Sequence, residues 1–212
     1  MGVNPLSGAA DSLTCDDPWF QVDTTDTALH ETVCAAASEA RSSLDICELS
    51  LKRPVTVETS KGPIHENSQC LASFDCDRGV IQIVNPSALR DHLQPNGPYA
   101  LLPDDVAFRS LMTHELAHAI VYQNSSERTV APVDHEYIAN ALELAALAPE
   151  HRNLLIGSSK VEPPVSAAVI DMFIYSLAPR KFAAAAFLYF DEHGCETVTG
   201  ILNGSTSFWT PR

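Results

Sequence analysis

The stretch LMTHELAHAIVYQ (111–123) decides how the rest of the chain is read. It carries His114 and His118 four residues apart, with Glu115 directly after the first. On an α-helix, four steps of about 100° bring the two imidazoles within about 40° of each other, one turn apart. That stacking lets two ring nitrogens reach one zinc ion at about 2.0–2.1 Å. Glu115, about 100° round from His114, falls beside such an ion rather than on it, where a carboxylate takes a proton from a metal-activated water. The flanks favour this over a solvated helix. Val106, Ala107, Phe108, Leu111, Met112, Leu116, Ala117, Ala119, Ile120 and Val121 make the helix apolar almost all round. Such a helix is expected to be buried, and two buried histidines with a glutamate are costly unless something pairs with them.

A catalytic zinc keeps three protein ligands and one open position. The residues after His118, AIVYQNSSER, contain no further histidine, and the next dense cluster is DHEYIAN (134–140). Glu136 lies across a loop long enough to reverse the chain and lay a second helix against the first, and it is the expected third ligand. Asn140, one turn on, is expected to accept a hydrogen bond from a ligand histidine's free N–H. Glu143 continues the same stripe, beside an apolar face of Tyr137, Ile138, Ala141, Leu144, Ala145 and Ala148. His135 is the alternative third ligand, about 100° round from Glu136, and Asp134 comes after it.

HELAH followed by HEYIAN resembles the gluzincin branch of the zincin metallopeptidases, in which H-E-x-x-H is completed by a glutamate of a downstream helix. The resemblance covers 104–148. It implies that His114, His118 and Glu136 hold one Zn2+ per chain and that Glu115 is the general base. It also implies a zincin-like fold: a small twisted sheet packed on a buried active-site helix, with an edge strand that binds extended peptide. GVIQIV (79–84), the last strand before the motif helix, is the candidate edge, with an interior position as the alternative. An acidic residue four positions after the ligand glutamate often orients the first histidine in that branch; here the position is Asn140, a departure from the pattern. Such enzymes also steady the developing oxyanion with a Tyr or His, for which Tyr137, Tyr175, Tyr189 and His193 are available. The order VCAAA, CLASFDC, HELAH, HEYIA over the whole chain is also similar to small uncharacterised bacterial secreted proteins.

Around this centre the pattern predicts an α+β domain over 21–212, after a mobile segment over 1–20. Helical spacing predicts a first helix over 25–49, with Thr25 or Asp26 as its cap. RPVTVETS (53–60) alternates as a strand, and QCLASFDC and GVIQIV flank Asp77-Arg78-Gly79 as a hairpin. A short helix is expected over 86–93 and the motif helix from Asp104 or Asp105 to about 123. Further helices are expected over 133–148, 164–178, 180–191 and 195–202, giving a helical C-terminal half.

Composition narrows the partners. The 212 residues hold 27 Asp+Glu against 13 Lys+Arg, a formal net charge of −14, which repels nucleic acid and anionic lipid. The longest apolar run, FAAAAFLYF (182–190), is far short of the roughly 18–20 residues of a spanning helix, so no membrane insertion is expected. Six cysteines without a C-x-x-C spacing point to disulfides, and with them a secreted or periplasmic protein whose leader has been removed. Cys34 with Cys47 on one helix, and Cys70 with Cys76 on one strand, would each stand about 20 Å apart, too far to bond. The residues together predict a zinc-dependent hydrolase, a peptidase acting on a peptide or protein substrate. The alternative is a non-catalytic zincin-fold binding module with a structural or vestigial zinc.

Overall fold

The computed structural model describes residues 12–64, 70–95, 97–125 and 128–209. The chain starts with β1 (Ser12–Thr14) and β2 (Phe20–Asp23), then α1 (Thr27–Ser43) and β3 (Val55–Ser60). A hairpin of β4 (Ala72–Asp75) and β5 (Val80–Val84) follows. The rest is helical: α2 (Pro86–His92), a 3-10 turn at Pro98–Leu101, α3 (Asp104–Asn124), α4 (Pro132–Ala146) and α5 (Pro149–Ser159). A 3-10 turn at Ala167–Val169 leads to α6 (Met172–Leu177), α7 (Pro179–His193) and α8 (Cys195–Asn203). This is the expected α+β arrangement, strands early and helices late.

The five strands form one mixed sheet in the order β1-β2-β3-β5-β4. β2, β3 and β5 run parallel, and β1 and β4 pair antiparallel at either edge. Phe20, Val22, Val55, Val57, Ile81 and Ile83 turn into the core. β5 is buried along most of its length and pairs with β3 on one side and β4 on the other. Of the two positions left open for GVIQIV, edge or interior, β5 takes the interior one, and among the described residues β4 is the outer strand beside it. The hairpin explains why. Gly79 takes a positive φ of 67° and Asp75 accepts from the N–H groups of Asp77 and Arg78, so the turn folds β4 back along the outside of β5.

Residues 12–20, expected to be mobile, contribute β1 and the start of β2 and are tied to α1 by a Cys15–Cys34 disulfide. Residues 1–11 of that expected segment lie outside the described residues. Asp26 caps α1 as anticipated, accepting from the Ala28 and Leu29 N–H groups at 3.0 and 3.1 Å. The helix stops at Ser43, short of the expected 49, because the chain turns at Leu44 and then enters left-handed conformation at Cys47 and Glu48. Cys47 is thereby free to leave the helix line and bond Cys195 at the head of α8. Two disulfides form rather than three, and the Cys70 thiol instead donates to the Ala72 carbonyl at 2.9 Å. Neither excluded pairing, Cys34 with Cys47 or Cys70 with Cys76, occurs.

α3 is the axis of the molecule. It packs against α1, β4 and β5 on one side and α4 on the other, and α7 covers α4. It begins with Asp104 and Asp105 in its first turn behind Pro103, rather than with either as a side-chain cap. Pro149, read as the stop of α4, is also the first residue of α5, a helix the pattern did not anticipate. The single helix expected over 164–178 is broken, because Asp171 accepts from the Phe173 N–H and starts α6 afresh.

The Cys47–Cys195 bridge closes a loop of 148 residues, which by chain entropy stabilises the fold by about 2–5 kcal/mol. Replacing both cysteines by serine is expected to lower the unfolding free energy by that amount in urea titration. An unchanged midpoint would show that the bridge contributes nothing.

Candidate metal centre

The site forms where α3 and α4 run antiparallel. The loop after Asn124 reverses the chain, so passing along α4 from Glu136 to Glu143 retraces α3 from His118 to Ser110. His114 Nε2 and His118 Nε2 stand 3.1 Å apart. The Glu136 carboxylate approaches them at 3.5 Å (from His114 Nε2) and 3.7 Å (from His118 Nε2). Three ligands of a tetrahedral zinc at bond lengths of about 2.0–2.1 Å stand roughly 3.3 Å from one another. The three donors of this site match that spacing, and they form a group that could hold a metal ion.

The donor chemistry fits as well. His114 Nδ1 lies 2.9 Å from Glu143 Oε2, which fixes the ring's orientation and leaves Nε2 directed at His118 and Glu136. Glu143 also accepts from the Ser110 hydroxyl at 2.5 Å, and the Tyr99 hydroxyl lies near it. A buried carboxylate shared by Ser110 and His114 thus stands behind the first histidine. Asn140 does not play the part expected of it. Its amide donates to the Glu136 carbonyl at 2.8 Å and lies 3.5 Å from the Glu136 carboxylate, so it contacts the glutamate rather than a histidine. The acidic partner comes from Glu143, one turn further, because the helix register sets it and not Asn140 against His114.

Electrostatics show how tightly the groups are coupled. Burial disfavours charge on His114, but hydrogen bonds to Glu136 and Glu143 outweigh it and raise its pKa well above the usual imidazole value. Burial and the adjacent His114 push His118 down to about 3. Glu136 is opposed by burial, yet the hydrogen bond and charge of His114 bring it down to about 2. Glu136 and Glu143, one at each ring nitrogen, both favour the protonated imidazole of His114. Glu115 is buried, and desolvation lifts its pKa to about 7, offset in part by His114. Its carboxylate lies near the backbone of Phe74 in β4. Leu71 O pairs with Val84 N–H, so Ala72 and Phe74, in alternation, turn their backbone groups to the free edge of the sheet. That edge borders the site directly.

The other expected residues separate clearly. His135 lies beside the site, its ring centroid 5.7 Å from that of His118, but outside the ligand group. Asp134 is committed to the C-terminal segment, accepting from the Ser207 hydroxyl at 2.6 Å and the Phe208 N–H at 2.7 Å. Of the four aromatic candidates, Tyr175 reaches the site, lining both clefts close to Glu136. Tyr137 is core, packed on Tyr189 and Phe208, and Tyr189 stacks on His193. Sequence reasoning missed Ser110, Tyr99 and the role of Glu143. Ser110 stands one turn before His114 and Glu143 two turns after Glu136, so both could have been found from helical spacing; Tyr99 carries no such signal. Two clefts open on the centre, one of about 810 Å³ reaching His114 and Glu115 and one of about 470 Å³ reaching His118 and Glu136.

Removing Glu143 would leave His114 and Ser110 without their buried acceptor. Glu143→Ala is expected to destabilise the metal-free protein by about 3–5 kcal/mol, as read by urea denaturation. A loss below about 1 kcal/mol would show that the carboxylate does not hold the two helices in register.

No curated protein and no solved structure matches the chain. One family model does, across residues 20–211, which span both helices of the centre, the sheet from β2 onward and the helical half. The chain belongs to that family, described as a family of unknown function (DUF6639).

Proposed function

We propose that this chain is a metal-dependent hydrolase, with zinc the best-suited ion and a peptide bond the best-suited substrate. The observation that carries the reading is the convergence of His114 Nε2, His118 Nε2 and the Glu136 carboxylate within one buried group, with Glu115 beside it at the end of an open cleft. Two imidazoles and one carboxylate are the donor set of a catalytic rather than a structural zinc site, because they leave a position for substrate. When bound, such an ion polarises a carbonyl oxygen and acidifies water.

The chain's own residues supply the rest. Glu115 removes a proton from the attacking water and delivers it to the leaving amine; a carboxylate poised near neutrality suits both steps. Glu143 holds His114 by Nδ1, and Asn140 contacts Glu136. Tyr175 lines both clefts near Glu136 and is the candidate donor to a developing oxyanion. The free edge of β4 offers backbone groups to an extended peptide. The alternative of a non-catalytic binding module drew support from the missing acid at position 140; Glu143 supplies an acid to His114 from the next turn, which favours catalysis. Two disulfides suit an oxidising compartment, so we read the protein as secreted or periplasmic. Among the described residues no helix is long and apolar enough to cross a membrane.

Purified protein is expected to bind one zinc per chain, by elemental analysis, and to cleave members of a broad peptide library. Glu115→Gln should keep the zinc and lose cleavage. Turnover unchanged in that variant would remove Glu115 as the base, and zinc without any cleavage would favour the binding module. Tyr175→Phe should lower kcat about 100-fold with zinc content unchanged; an unaltered kcat would exclude its hydroxyl from the oxyanion.

A further inference from the structure

The larger cleft says what kind of substrate the centre would select, an inference that rests on the hydrolase reading. Its volume of about 810 Å³ is in the range of cavities that hold small ligands. Its inner end is made by His114, Glu115 and Tyr175, and its walls by Leu71, Leu93, Tyr99, Leu111 and Leu177. Leu111 stands one helical turn before Glu115 and is buried, so the apolar lining begins immediately beside the base. The Tyr99 ring forms one wall, with its hydroxyl near Glu143. Leu177 is 68% exposed at the rim, a large apolar side chain left open to water beside a functional centre.

Charge narrows the occupant. Glu115 lines the inner end and disfavours an acidic side chain. Arg180 and Lys181 stand at the mouth and repel a basic one, Arg180 being fixed there by bonds to the Gly97 carbonyl at 2.8 Å and the Pro95 carbonyl at 3.1 Å. We propose that this cleft takes a bulky apolar side chain, of leucine to phenylalanine size, from the substrate residue next to the bond that is cleaved. Leu111, Leu93 and Leu177 are then the residues that set specificity, and burying a side chain of that size favours it over alanine by about 10- to 100-fold.

The test uses two metal-chelating probes on the zinc-loaded protein, acetohydroxamate and 3-phenylpropionohydroxamate, with Kd read by calorimetry. The phenyl-bearing probe is expected to bind about 10- to 100-fold more tightly. Leu93→Trp, which fills the cleft, should remove most of that advantage and leave acetohydroxamate unchanged. Leu177→Asp, on an exposed residue that the fold does not need, should reduce it as well. Equal affinities for the two probes in the zinc-loaded protein, or an advantage untouched by both variants, overturn the inference while the hydrolase reading stands. Zinc binding with no affinity for either probe overturns both.

Discussion

The antiparallel register of α3 on α4 is the constraint on which the rest of the molecule depends. One helix offers Ser110, His114 and His118 at four-residue spacing, the other Glu136, Asn140 and Glu143 on one stripe. Antiparallel packing matches the two series end to end: Glu143 meets Ser110 and His114, and Glu136 meets His114 and His118. A shift of one residue along either helix would turn these groups by about 100° and disperse them among leucines. The remaining architecture keeps that register. α1 and the sheet press on one side of α3, α7 presses on α4, and Asp134 anchors the start of α4 to the C-terminal segment.

Polar groups in so apolar a place carry a cost in desolvation that only mutual pairing offsets. Here the pairing is complete on one side and open on the other. Glu143 is paired with both Ser110 and His114, while the Nε2 atoms and the Glu136 carboxylate face one another across a few ångströms. The paired half orients; the open half is where a cation's charge would count for most. Glu115 stands between that centre and the outer strand β4. The contact of α3 with β4 thus brings a backbone edge and a buried carboxylate close together.

Much of this was legible in the residues. The apolar surround of HELAH marked α3 as buried, and the spacing of Glu136, Asn140 and Glu143 marked the face of α4 that meets it. The hairpin turn at Asp77-Arg78-Gly79 was clear because its residues act through local backbone geometry. Three readings went astray for related reasons. Asn140 was taken as the histidine's partner because a family pattern counts residues from Glu136, whereas the partner depends on how far α4 slides along α3. β5 was favoured as the edge over an interior position because it is the last strand before the motif helix, whereas the hairpin folds β4 outside it. Residues 12–20 were taken as mobile, whereas β1 pairs with β2 and a disulfide bridges the segment to α1.

The sequence by itself determined the helix that carries the histidines, the glutamate that answers them and the division of the chain into an early sheet and a late helical half. Each is a matter of periodicity along one element, which is a local property. Tertiary structure alone decided which acid orients His114, which strand is exposed, which cysteines meet and which leucines line the cleft beside Glu115. Those depend on distances between elements far apart in the chain, and such distances exist only after the elements have packed.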